Sequence, residues 1–208
     1  MTEPGSHVFE TVGSKDVYQG RVIALRADEV AMPGGRVAVR EVVEHYGAVA
    51  IAAVDEQDQV VLIHQYRHPL ARRLWELPAG LLDKAGEAPA VTAARELGEE
   101  VGLAAAEWAV LVDVAASPGF TDEVVRVFLA RGLSAVDREV PSGDEETDLV
   151  VRRFPLAEAV RMVLAGDVVN SSSAAGILAA HAVLRDGVAT RPVDAPWRDR
   201  PTRFASRS

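Results

Sequence analysis

The chain has no cysteine, which excludes disulfides, thiol nucleophiles and thiolate metal sites. No apolar run approaches the roughly 20 residues that a membrane-spanning helix needs. The N-terminus, MTEPGSHVFE, is polar and lacks the apolar stretch of a signal peptide. The sequence therefore reads as cytoplasmic, with no membrane partner. Positive charge is also in short supply: 22 Lys and Arg stand against 31 Asp and Glu, for a net charge of −9. That balance argues against a nucleic-acid partner. An anionic substrate would meet a repelling overall field, so local arginines or a bound cation would have to reverse it. There is no internal repeat. Apolar residues make up 49% of 208 positions, enough for one domain, or one domain with a smaller appendage.

The stretch with the most information is Leu77 to Leu103, LPAGLLDKAGEAPAVTAARELGEEVGL. Its second half predicts a helix from about Pro89 to Val101. At about 100° per residue, Glu96, Glu99, Glu100 and Thr92 fall on one side, with Arg95 and Ala93 at the flanks. Ala90, Val91, Ala94, Leu97, Gly98 and Val101 fall on the other side and are expected to pack on a core. Like charges at i,i+3 and i,i+4 cost a helix roughly 0.2–0.5 kcal/mol per pair. Arg95, one turn before Glu99, offsets this locally. A hard divalent cation would relieve it further, because such ions take carboxylate oxygens. A solvated acidic face is the alternative.

The order Glu87, seven residues, Arg95-Glu96-Leu97, one residue, Glu99-Glu100, one residue, Gly102-Leu103 resembles the signature of the Nudix hydrolase family. One position departs from it: six residues, not five, separate Gly80 from Glu87. Further matches, from REVVEH through GAVAI, QYRH, LWELPAG and SPGF, extend the resemblance over most of the chain, toward the actinobacterial ADP-ribose pyrophosphatases.

The resemblance implies an α/β fold, a Nudix α/β/α sandwich with a mixed sheet, preceded by a small N-terminal antiparallel β-sheet. Residues 1–45 would be the β segment, building a homodimer, and 46–208 the catalytic domain. Local patterns agree. Alternation in VFETV, VYQGRVIALRADEVAM and RVAVREVVEH reads as short strands, with Pro33-Gly34-Gly35 a turn between the last two. Ala48 to Val54 reads as a strand buried on both faces. Val60 to Tyr66, Trp108 to Ala115, Val124 to Ala130 and Leu149 to Phe154 are further strands. Arg67, Arg72 and Arg73 fall in a polar loop, and Ser117 to Glu123 is a loop on its turn chemistry. Val136 to Asp148 is expected to be a mobile loop. Helices are expected over Leu156–Ala165, stopped by Gly166, and from a cap within Ser171–Ser173 to about Arg185, stopped by Gly187. The Pro- and Arg-rich tail is expected on the surface.

The family's implied activity is metal-dependent hydrolysis of a nucleoside diphosphate derivative, here ADP-ribose to AMP and ribose 5-phosphate, with Mg²⁺ or Mn²⁺. Residue by residue, Glu96 and Glu100 would be metal ligands, with Glu99 the third and the Ala79 carbonyl a fourth. Glu87 and Arg95 would brace the loop against the helix, and Gly102 would end the helix. The general base maps to the acidic loop Asp144–Asp148, with Glu146 favoured and Glu145 the alternate; Glu99 is also counted with them as catalytic. Pro118, fifteen residues beyond Leu103, resembles the marker of the ADP-ribose branch. Arg67 of QYR would touch the diphosphate, and Arg40 would reach a substrate at a dimer interface. Glu76 would line the adenine or ribose pocket with Trp75, which reads equally as core. The histidines read as incidental: His64 and His68 begin in a strand, where four residues span roughly 13 Å. Sugar nucleotides, FAD, or ADP-ribose sensing without cleavage are the rival readings.

Overall fold

The computed structural model describes residues 5–138 and 148–207. The chain divides into two compact units. One takes in Met1–Gly47, Ala115–Glu123 and Asp199–Ser208; the other takes in Ala48–Val114 and Val124–Arg198.

The first unit holds the antiparallel sheet β1 (Thr11–Gln19), β2 (Ile23–Ala31) and β3 (Val37–His45), in that order. The turn at Pro33-Gly34-Gly35 closes with Met32 N–H donating to the Arg36 carbonyl at 2.9 Å. The stretch beginning at Val17 is not one strand: a turn breaks it, with Gly20 N–H donating to the Ile23 carbonyl at 2.8 Å. Ser117–Glu123 is a loop, as expected, and it joins this unit through Val43 N–H to the Phe120 carbonyl (2.7 Å) and Asp122 N–H to the Val43 carbonyl (3.1 Å).

The C-terminal tail lies mostly on the surface, as expected, and is anchored at a few points. Phe204 is 3% exposed and stands edge-on to Tyr46. Its arginines are drawn in by Glu44, a fully buried carboxylate that pairs with Arg26, Arg203 and Arg207. Burial pushes the Glu44 carboxyl up, but hydrogen bonds and charge from Arg207 and Arg26 outweigh it and hold it below the usual value.

Among the described residues, the second unit contains two sheets and three helices. The five-stranded sheet runs β11 (Arg191–Pro192), β8 (Leu103–Ala115), β9 (Val124–Ala135), β4 (Ala48–Ala53), β7 (Ala79–Leu81). It is mixed, since β4 pairs parallel with β9 and antiparallel with β7. The second sheet runs β10 (Val150–Pro155), β5 (Gln59–Arg67), β6 (Arg72–Glu76). Helices α1 (Pro89–Val101), α2 (Leu156–Ala165) and α3 (Ser171–Asp186) complete it.

β4 shows why this is a sandwich. All six residues are buried, and alternate side chains go to opposite faces. Ala48, Ala50 and Ala52 pack with Leu156 and Ala159 of α2 and Ile177 and Ala180 of α3. Val49, Ile51 and Ala53 pack with Ala93 and Leu97 of α1. Full burial of Ile51 and Leu97 contributes roughly 1.5–3 kcal/mol each.

Three sequence expectations shift. Arg72 and Arg73 begin β6 rather than sitting in a loop, because a single 3-10 turn at His68–Leu70 reverses the chain. Leu103 to Ala115 and Val124 to Ala135 are longer strands than Trp108 or Ala130 suggested. The cap of α3 is Asn170, not a serine: its side-chain oxygen accepts from Ser173 N–H at 3.0 Å, and Ser172 and Ser173 are buried.

Candidate active site

α1 begins on Pro89 at its first turn, where a missing N–H costs nothing. It ends at Gly102, whose φ of 67° suits glycine, with the amide donating to the Gly98 carbonyl at 3.0 Å. Its orientation differs from the simple wheel. Ala93, Leu97 and Glu100, at i, i+4 and i+7, face inward, whereas Val91 is 55% exposed and Ala94 is exposed. The acidic face is thus partly embedded. Glu100 is 4% exposed and accepts from the Ala79 amide at 2.9 Å.

The segment facing α1 is fixed on three sides. Leu77 N–H donates to Ser173 Oγ at 2.9 Å, the Pro78 carbonyl accepts from Ile51 N–H at 2.8 Å, and Ala79 N–H goes to Glu100. β7 follows, and Glu96 lies directly over Gly80: a Cβ there would stand 2.1 Å from Glu96 Cδ and 2.2 Å from its Oε1. Only glycine leaves this cradle open.

The loop before Glu87 closes in a turn in which Glu87 N–H donates to the Lys84 carbonyl at 3.2 Å, with Gly86 at a φ of 77°. The turn delivers Glu87 to Thr92 Oγ1, which donates to it at 2.8 Å, and to Arg95 Nη2 at 3.1 Å. Those two hydrogen bonds, Arg95 first, hold the Glu87 carboxyl below its usual pKa. Arg95 Nη1 also donates to Glu96 and Glu99, each at 2.7 Å. Burial works against the Arg95 charge, but these partners prevail and raise its pKa above the ordinary arginine value.

Gln65, Arg67, Gly80, Lys84 and the three glutamates wall a cavity of about 480 Å³. Arg67 donates to Glu76 through Nε at 3.0 Å and Nη2 at 2.7 Å. Of the sequence-derived candidates, Glu96, Glu99, Glu100, Ala79 and Arg67 line this one cavity. Glu76, 1% exposed, meets it through Arg67. Trp75 stacks on His64 with centroids 4.5 Å apart and meets Phe154 edge-on. Arg40, exposed on β3, and Pro118, in the turn closed by Phe120 N–H to the Ser117 carbonyl at 3.1 Å, belong to the first unit. Glu145 and Glu146 lie outside the described residues, as does most of the expected loop over 136–148. Sequence reasoning missed Gln65, Asp83 and Lys84. Gln65 could have been found from alternation, since it shares a strand face with Arg67; Asp83 and Lys84 sit in the variable, lengthened loop and carry no such signal.

The donor set is hard oxygen throughout, as Mg²⁺ or Mn²⁺ requires. Among the described residues no group of three or more acidic or imidazole side chains is placed to hold a metal ion by itself. A hard divalent ion keeps several waters and needs only one or two protein carboxylates beside the oxygens of a phosphate substrate, and Glu96 and Glu100 are donors of that kind. The Gly80 cradle leaves Glu96 room at the cavity wall. The residues present therefore fit a divalent cation.

Comparison with known proteins agrees. A family model for the NUDIX domain matches residues 43–172, and one for the nucleoside diphosphate sugar hydrolase N-terminal domain matches residues 9–43. The chain is 55% identical to the ADP-ribose pyrophosphatase of Mycobacterium tuberculosis, over 97% of each. It is 39% identical to the methanol dehydrogenase activator of Bacillus methanolicus, over 74% of this chain and 82% of that one. The crystal structure of an ADP compounds hydrolase superposes with a TM-score of 0.76 at 20% identity, covering 89% of this chain and 98% of that one, and so shares the fold. Nudix hydrolases generally require a divalent cation. With the glutamate helix, its bracing arginine and the sandwich all in place, the chain belongs to the Nudix hydrolase family.

Proposed function

We propose that this protein is a cytoplasmic ADP-ribose pyrophosphatase, cleaving the diphosphate of ADP-ribose with water to give AMP and ribose 5-phosphate. The observation that carries the substrate is the 55% identity, over nearly the whole of both chains, to the Mycobacterium tuberculosis enzyme of that name. Glu96 and Glu100, with Glu99 as third and the Ala79 carbonyl beside them, would hold Mg²⁺ or Mn²⁺. The bound cation supplies neutralisation of the diphosphate charge and Lewis acidity toward the attacking water.

The protein's own part is positioning and proton transfer. Arg67 meets the diphosphate from the cavity wall. Arg95 keeps Glu96 and Glu99 side by side, and its pairing with Glu87 braces the loop. We assign the proton acceptor to Glu146, with Glu145 as alternate, from sequence position. Arg40 and Pro118 are assigned to substrate recognition on the same footing, and Glu76 to the substrate-binding set through its contact with Arg67. Residues 1–45 are assigned to homodimerisation and 46–208 to catalysis. The N-terminal sheet leaves Val12, Val17, Val37 and Val39 each more than half exposed, as an apolar surface awaiting a second copy would.

The test is product analysis with ADP-ribose, with and without Mg²⁺. AMP and ribose 5-phosphate forming only with the cation is the expected result. Faster cleavage of a sugar nucleotide or FAD in the same panel would overturn the substrate, and tight ADP-ribose binding without product would overturn the enzyme reading.

A further inference from the structure

Arg67 is the last residue of β5 and Glu76 the last of β6. Ile63, Gln65 and Arg67 share one face of β5, because side chains alternate. Glu76 stands opposite Ile63, so it rises on that same face. Four residue steps of strand, roughly 13 Å, separate Ile63 from Arg67. Arg67 therefore lies back along its own strand to meet Glu76, instead of continuing off the strand end.

The contact is a two-pronged fork, at 3.0 and 2.7 Å. The Glu76 side chain is 2% exposed and that of Arg67 41%. The arginine is the half of the pair that faces the cavity, and the glutamate is the half that does not. A carboxylate buried to this degree is costly without a partner. Its backbone neighbours Leu77, Pro78 and Ala79 are pinned to α3, β4 and α1 by hydrogen bonds of 2.8–2.9 Å. The anchor is therefore rigid and the charge it presents is pre-aimed.

We propose that Glu76 is a positioning residue: it does not touch substrate, and it fixes the Arg67 guanidinium where the diphosphate binds. The inference rests on the ADP-ribose reading above and refines it, moving Glu76 from the pocket wall to the support behind it. A fixed fork loses less freedom on binding than a mobile one.

The experiment compares KM and kcat for ADP-ribose at saturating Mg²⁺, with thermal midpoints, in wild type, Glu76→Gln, Arg67→Ala and the double variant. Glu76→Gln should raise KM about tenfold with a smaller change in kcat. The double variant should be no worse than Arg67→Ala alone, because the two act as one unit. It should also melt above Arg67→Ala, since the amide removes a buried carboxylate that has lost its partner. An unchanged KM in Glu76→Gln, or losses that add in the double variant, overturns the proposal. Glu76→Asp keeps the charge one methylene short and provides a second reading should the amide variant fail to fold: an intermediate KM supports the proposal and a wild-type KM refutes it. Wild-type protein that fails to cleave ADP-ribose overturns the substrate reading itself, before any variant is compared.

Discussion

Replacing Gly80 with alanine separates the site's chemistry from the fold. Gly80 pairs with Val49 across β4 and β7, and its φ is not in the left-handed region, so the backbone accepts alanine. The obstacle is Glu96. The new Cβ would stand 2.1 Å from its Cδ and 2.2 Å from its Cγ. Non-bonded carbons rest at about 3.5–4.0 Å, so the carboxylate must retreat by about 1.3–1.9 Å. The clash is with the end of a flexible side chain, not with backbone, so the fold should lose about 1 kcal/mol or less. Catalysis should lose far more, because a misplacement of about 1 Å in a catalytic group can cost about a hundredfold. The assay is steady-state ADP-ribose hydrolysis across a Mg²⁺ titration, alongside thermal denaturation. A near-normal midpoint with turnover down about a hundredfold and a weaker metal response is expected. Turnover within a factor of about three of wild type, in a folded variant, would refute the assignment of Glu96 to the metal.

Gly176→Ala should do the reverse. A Cβ there would meet Leu77 Cδ1 and Val127 Cγ1 at 2.7 Å in the core, so overpacking should cost about 1–3 kcal/mol, read as a lower midpoint with kcat per folded molecule kept. Gly98→Ala should stabilise: its Cβ would find only the Leu103 carbonyl, at 4.0 Å, and alanine gains up to about 1 kcal/mol in a helix, worth about 2–4 °C in the midpoint. His64 is held below its ordinary pKa, first by burial and then by the charges of Arg73 and Arg152. The fold therefore favours neutral imidazole, and the stability this gives is present above about pH 6.5 and is lost as pH falls toward the folded value. His64→Gln should flatten the change in denaturant midpoint between about pH 7.5 and 5.5; an unaltered slope would dismiss the idea.

Some of this architecture was legible because one period decided it. α1 came out at Pro89–Val101, where proline at the start and glycine at the end agree with the apolar repeat. Ala48–Ala53 was legible because an unbroken apolar run that short suits a strand covered on both faces. The rotation of α1 was not legible. A wheel sorts residues by polarity, and Glu100 is buried because the Ala79 amide, 21 positions away in sequence, reaches it. The anchoring of the tail was not legible for the same reason. Arg207 looks like solvent-facing charge until Glu44 is seen buried beside it, an ion pair between positions 163 residues apart. At α3 the sequence offers four candidate caps in a row, Asn170 and the three serines after it, and local chemistry does not separate them, since asparagine caps at least as well as serine.

The signature's arginine has a reason that spacing alone does not supply. Three carboxylates within about one helical turn repel one another, and α1 places them on a partly embedded surface where that repulsion is less screened. One guanidinium meets Glu87 on one edge and both Glu96 and Glu99 from Nη1. A lysine ammonium is a point charge with no planar fork, and it could not address three carboxylates from a fixed plane. Arg95 thus does two things with one side chain. It ties the lengthened loop to the helix through Glu87, and it holds Glu96 and Glu99 on a single guanidinium nitrogen. Arg67 is built on the opposite plan: Glu76 lies behind it, buried, and turns its charge outward to the cavity. In a chain whose net charge is −9, anion binding then depends on where each arginine keeps its carboxylate. Beside Arg95, Glu96 and Glu99 face the cavity; behind Arg67 the carboxylate is hidden, and the guanidinium faces the cavity.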